Sequence, residues 1–267
     1  MKNIFRFLAM SLLCVVSSSF AADKADVKIP KQLEGSINGE WRLPENRARD
    51  QYRHPLQTLT FFGVKPDSTV IELMPGGKLW YAEILAPYLR DKGHYIGANI
   101  KSDREDVGQK ERITSRPAQF DKAEIREFAF KDPNFGPDGS ADFFLTFRNV
   151  HNFTMSHVDD KLFAAAFKVL KKGGVLGVVD HRAPAGKTVD EVLNSGYLPE
   201  KYVIELAEKA GFKLVASSDV NNNAKDTKDY PKGVWTLPPN FAEKDVDHDK
   251  YAAIGESDRF TLRFVKP

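Results

Sequence analysis

Residues 69–89 read TVIELMPGGKLWYAEILAPYL, and the fold turns on how that stretch is parsed. Thr69, Val70, Ile71 and Leu73 make a short, apolar, β-branched run, the mark of a parallel strand covered on both faces. Pro75, Gly76 and Gly77 break it. Leu79, Trp80, Ala82, Ile84, Leu85 and Leu89 then fit a helix with one broad apolar face. A strand, a glycine turn and a helix start together make a pocket for an anionic or polar cofactor. Backbone N–H groups at the helix start point outward, and glycine lets a ligand approach the main chain closely. Glu72 sits near the strand's C-terminal end, beside that pocket. An ordinary βα turn reads the same way, so the stretch draws its meaning from the rest of the chain.

The chain has 267 residues, 42% hydrophobic and 28% charged, enough for one soluble α/β domain with an extension. The first 22 residues read as a signal peptide. Lys2 and Arg6 are the positive end, Phe7 to Val16 the apolar run, and cleavage is expected after Ala21 or Ala22. The run is too short for a transmembrane helix, so no stable membrane insertion is expected after cleavage. The alternative is an uncleaved anchor or a disordered N-terminus. The single cysteine, Cys14, lies inside this segment behind the bulky Leu13, which argues against lipidation. The mature chain would then hold no disulfide and no thiolate, as suits a periplasmic or secreted bacterial protein. Taking Lys2 and Arg6 from the 39 basic residues leaves 37, against 37 acidic ones, so charge gives no case for nucleic acid.

Residues 23–46 read as an arm or linker, and 47–267 as one domain with a polar insertion at about 221–240. Glu40 to Phe62 is read as one or two helices broken near Pro55. There Arg47, Arg49, Asp50, Arg53 and His54 are either a solvated helix face, the favoured reading, or a polar lid. Further strands are expected at His94–Ala98, Ile125–Phe130, Ala141–Phe147, Val175–Val179 and Leu214–Ser217, with Phe260–Val265 as a final edge strand. Helices fall between them, at Asp159–Leu170 and Pro199–Ala210 among others. Alternating strands and helices imply a doubly wound, Rossmann-like, mostly parallel sheet with helices on both faces. Ligands of such sheets sit over the strands' C-terminal ends. Four ends collect the polar residues: Glu72 to Gly77, Asn99, Arg148 to Asn152, and Asp180 to Arg182.

The strand with ELMPGG, the strand ending in FRNVHNF and the segment LKKGGVLGVVDHRA together resemble class I S-adenosylmethionine-dependent methyltransferases. More narrowly, they resemble an exported bacterial branch of predicted methyltransferases with a PGG turn. The resemblance covers about residues 47–183. It implies a seven-stranded sheet whose last strand is antiparallel. It also implies a turn facing the methionine part of the cofactor and a strand-end acid for the ribose. Cofactor contacts are accordingly expected at Glu72, Pro75, Gly76, Gly77, Asn99 and Asn149. Two departures stand out: Met74 and Pro75 precede only two adjacent glycines, and Asn99 stands where an acid is usual.

Methyl transfer needs alignment, closeness and exclusion of water, with a base where the acceptor loses a proton. His151 is the first candidate base, or else a structural histidine bonded to a loop carbonyl; His181 is the second. Arg148 could hold a carboxylate or phosphate, or pair with Asp142 or Asp180. Asn149 and Asn152 could position polar groups or simply shape a turn. The separations of His54, His151, His181 and His248 match no compact ligand pattern, and no metal is expected. Trp41, Tyr52, Tyr230 and Trp235 hint at a planar acceptor, a small molecule. Rival readings are an exported ligand-binding protein that keeps the fold without catalysis and a nicotinamide-dependent reductase using Tyr197 and Lys201. A third is an aminopropyl transferase.

Overall fold

The computed structural model describes residues 31–102 and 107–267; the expected signal peptide, with Cys14, lies outside them. Four helices lead in: α1 (Lys31–Ile37), α2 (Pro44–Arg47), α3 (Asp50–Arg53) and α4 (Pro55–Phe62). Next come β1 (Thr69–Leu73), α5 (Ala82–Leu89), β2 (His94–Ile100), α6 (Val107–Thr114), α7 (Pro117–Phe120) and β3 (Glu124–Phe128). The second half runs β4 (Ala141–Phe147), α8 (Val150–Met155), α9 (Asp159–Val169), β5 (Leu170–His181), α10 (Val189–Val192) and α11 (Glu200–Lys209). It closes with β6 (Lys213–Ser218), α12 (His248–Ile254) and β7 (Arg259–Val265). Among the described residues no helix is long and apolar enough to cross a membrane.

The strands form one sheet in the order β3-β2-β1-β4-β5-β7-β6. Every pair is parallel except the two that β7 makes, with β5 and β6. Successive side chains of a strand point to opposite faces, and the central strands are apolar on both. Val70 joins the core on one face with Phe143, Leu145, Val175 and Val179. Ile71 and Leu73 join the other with Phe144, Leu176 and Val178. The chain steps outward from β1 to β2 and β3, then returns to β4 on the opposite side of β1. That reversal opens a crevice above β1 and β4, where α/β sheets bind ligands.

Several expectations need correction. β7 is not an edge strand: it lies between β5 and β6, and β6 is the edge. Its alternation of apolar and polar residues misleads because the polar side is covered too. Thr261 is fully buried, and its hydroxyl accepts a hydrogen bond from Asn221 at 2.9 Å. Helix α5 starts at Ala82 rather than just after the glycines, because the turn runs on through Tyr81 with Met74, Gly76 and Leu79 all at positive φ. β5 starts at Leu170, absorbing LKKGG into a bulge against β4. β3 spans Glu124–Phe128 rather than ending at Phe130. Residues 31–37 are a helix, although their sequence has no apolar period: Leu33 alone is fully buried, against the α5 side of the sheet.

Candidate active site

The four strand ends do converge, and the two on the β4–β5 side carry the chemistry. Arg148 ends β4 in a left-handed conformation (φ 62°), with its N–H donated to the Val179 carbonyl at 2.7 Å. A non-glycine residue in that region is strained, and such strain collects at functional sites. The kink lets α8 begin at once, with His151 in its first turn. On the neighbouring strand Asp180 is fully buried. One of its oxygens accepts His151 Nδ1–H at 2.9 Å and the His181 N–H at 2.8 Å; the other accepts the His151 N–H at 3.2 Å. A carboxylate only accepts, so the proton of neutral His151 is on Nδ1 and Nε2 is left with its lone pair. His151 is therefore not bonded to a loop carbonyl, and Asp180 is its partner rather than that of Arg148.

His181 packs beside it, with ring centroids 5.1 Å apart and its Nδ1 2.5 Å from Ser257 Oγ. Burial, then His151 and the guanidiniums of Arg148, Arg259 and Arg53, push the His181 imidazole well below its ordinary value, so it is neutral at physiological pH. His151, Asp180 and His181 offer ligand atoms all within 4.8 Å of one another, a grouping that the histidine spacing alone did not disclose. As it stands the trio is a hydrogen-bonded network in which Asp180 already accepts three donors.

Both histidines face a cavity of about 210 Å³. Its other walls are Arg148 and Asn152, then Val234, Trp235, Pro238, Pro239 and Asn240 of the insertion, and Glu256 and Ser257. The insertion is held firmly despite its polarity. The Tyr197 hydroxyl donates to Asp226 at 2.9 Å, and Asn223 Nδ2 donates to the Glu256 carbonyl at 2.7 Å. This also removes the reductase pair, since Tyr197 is buried on Asp226 while the Lys201 side chain is 88% exposed and pairs with Glu205. Of the four aromatics singled out, only Trp235 lines the cavity. Trp41 donates to the Glu83 carbonyl, the Tyr52 carbonyl accepts from Arg259, and Tyr230 packs on Tyr251.

Glu256 anchors a guanidinium cluster that sequence spacing could not reveal. It takes Arg49 Nε at 2.6 Å, Arg53 Nε at 3.1 Å and Arg259 Nη1 at 3.0 Å, while Arg148 Nη1 stays 3.9 Å away. Burial raises the Glu256 carboxyl, but the four cations outweigh it and hold the group far below the usual range. The Arg53 guanidinium is pushed well down by burial and by Arg148. Arg148 is pushed down to about 10 by burial, with Arg49 and Arg259 adding to it, and remains a cation at neutral pH. Arg49 and Arg53 are thus no solvated face, and Arg148 pairs with neither Asp142 nor Asp180. Asp142 instead takes Lys171 and the Thr69 N–H.

The β1–β2 side is neutral. Glu72 is buried, accepts from the Tyr95 hydroxyl at 2.7 Å, and is pushed by burial up to about 8, so its carboxyl is largely protonated at pH 7. Asn149 Nδ2 donates to the Leu73 carbonyl at 2.8 Å, tying the ends of β4 and β1 together. Asn99 Nδ2 donates to Gln109 Oε1 at 2.5 Å, and Gln109 Nε2 reaches the Gly76 carbonyl at 3.3 Å. Gln109, buried on α6, was not anticipated. Pro75 and Gly77 are partly exposed and Gly76 exposed, with φ 71° and nothing within 4 Å of where its Cβ would stand.

No protein-family model matches the chain, and no curated protein sequence does. Solved structures match it in fold. A SAM-dependent methyltransferase from Aquifex aeolicus superposes with a TM-score of 0.57 at 16% identity, over 89% of this chain and 98% of its own. A candidate sarcosine dimethylglycine methyltransferase from Galdieria sulphuraria gives 0.56 at 15%, over 83% and 87%. The cyclase SpnF gives 0.55 at 16%, over 89% and 92%. The architecture is the seven-stranded, Rossmann-like methyltransferase fold. At these identities the likeness is one of fold.

Proposed function

We propose that the protein is an S-adenosylmethionine-dependent methyltransferase acting on a small molecule by in-line transfer. The observation that carries this is the buried Asp180–His151 pair, 2.9 Å apart, facing a cavity beside the sheet's reversal point. The neighbouring half of the crevice fits the cofactor. Pro75, Gly76 and Gly77 would hold its amino-acid part against open main chain, and Asn99, with Gln109, would meet its ribose hydroxyls through neutral amides. Glu72 and Asn149 stiffen that half from beneath through Tyr95 and Leu73. Bound there, the cofactor supplies an electrophilic methyl group on a sulfonium.

Nε2 of His151 takes the proton that an acceptor hydroxyl or amine gives up. Asp180 fixes the tautomer and stabilises the imidazolium that results. Trp235, Pro238 and Pro239 supply the apolar part of the cavity's lining. The test is conversion of S-adenosylmethionine to S-adenosylhomocysteine in the presence of a panel of small hydroxy and amino compounds. His151→Ala should lose about 10²–10⁴-fold in turnover, with cofactor binding intact; turnover equal to the parent's contradicts the base.

A second reading, a ligand-binding protein that keeps the fold without transfer, draws support from Asn99 being already engaged by Gln109. Export to the periplasm or outside the cell is proposed from residues 1–22 alone. Terminal sequencing of the processed chain should start at Ala22 or Asp23.

A further inference from the structure

We infer that the acceptor is a small carboxylic acid, its carboxylate on Arg148 and its planar, apolar body against Trp235, Pro238 and Pro239. This deepens the methyl-transfer reading and rests on it. Arg49, Arg53, Arg148 and Arg259 surround one carboxylate, Glu256. The oxygens of Glu256 are taken by the other three, and Arg148 at 3.9 Å is beyond hydrogen-bond reach. Among the described residues the Arg148 guanidinium makes no hydrogen bond, its backbone N–H alone being bonded, while Nη2 of Arg49 and of Arg53 are buried without partners.

A largely buried cationic surplus is costly unless an anion answers it. Arg148 is the member placed to receive one. It lines the cavity, keeps 26% of its side-chain surface, and is aimed there by a strained backbone. The guanidinium fork matches a planar carboxylate. Glu256 lies in the same wall and would repel a second negative charge, which favours a monoanion over a phosphate ester. The same lining includes an indole and two prolines, suited to a flat apolar body. His151 shares that lining, its ring 6.0 Å from that of Trp235, where it would meet a hydroxyl or amine on the same molecule.

The test uses benzoate and its neutral counterpart benzamide, titrated into the full mature protein by calorimetry and by the NMR shift of the Trp235 indole. Benzoate should bind and shift Trp235, and benzamide should bind at least about tenfold more weakly, the worth of one charge-assisted hydrogen bond. Arg148→Gln should bring benzoate down to the benzamide level. Equal binding of the two probes, no benzoate binding, or full benzoate affinity in a folded Arg148→Gln protein overturns the inference. Should that variant fail to fold, the benzoate–benzamide ratio on the parent protein decides. S-adenosylmethionine is titrated in parallel. Benzoate binding without cofactor binding removes the transfer reading and leaves an acid-binding pocket. Cofactor binding with equal probes does the reverse.

Discussion

At the β1 and β2 ends the polar groups are neutral and already bonded to one another: Glu72 with Tyr95, Asn99 with Gln109, Gln109 with Gly76. A few ångströms of sheet away, at the β4 and β5 ends, they are charged, and the imidazole and guanidinium that face the cavity keep open valences. In the proposed transferase the first half would recognise by backbone shape, through a turn with open space beside Gly76, and the second by charge, with a base to move a proton. Positive-φ residues other than glycine stand on both sides of the divide, Met74 and Leu79 on one and Arg148 on the other.

The contrast can be broken hardest at Glu256. Glu256→Gln leaves four guanidiniums facing one another, and unfolding in denaturant should show a loss of about 3–5 kcal/mol; a loss under about 1 kcal/mol would mean that the cluster is not held by this carboxylate. Asp180→Asn should cost about 2 kcal/mol, because an amide cannot accept from all three donors. It should also shift His151 toward the other tautomer, which ¹⁵N shifts of the ring read directly.

On the neutral side the sign of a pH dependence is the test. The folded pKa of Glu72, about 8, lies above its ordinary value. Between the two, the native state holds more protons than the unfolded chain. Stability should therefore fall as pH rises from 5 to 8, by on the order of 1 kcal/mol per unit at most. Glu72→Gln should flatten that slope, and an unchanged slope would place the titration elsewhere. Gly76→Ala should have the smallest effect, about 1 kcal/mol, from the left-handed backbone alone, since its methyl group meets nothing within 4 Å.

How much of this was legible before the coordinates depends on how far apart the partners lie. β1, β4 and the middle of β5 were readable because both their faces are apolar, so composition alone marks them. The convergence of Glu72–Gly77, Asn99, Arg148–Asn152 and Asp180–Arg182 followed from parallel topology. The Asp180–His151 pair was within reach of the same argument, because Asp180 lies in the last residues of β5 and His151 just past the end of the adjacent parallel β4. The Glu256 cluster was not: its partners Arg49 and Arg53 lie 207 and 203 residues away, in a charged run with no period to betray burial. The same holds for β7, where Thr261 is covered by Asn221 of the insertion, itself bonded to Thr58 on α4, and Arg259 reaches the Tyr52 carbonyl on α3.

In the proposed methyltransferase the neutral half of the crevice holds S-adenosylmethionine. The decisive experiment is calorimetric titration of the protein and of Gly76→Asp with S-adenosylmethionine and S-adenosylhomocysteine. Saturable binding of both in the parent, lost when a carboxylate fills the space beside Gly76, is the predicted result. No binding of either, or equal binding in the variant, would contradict it.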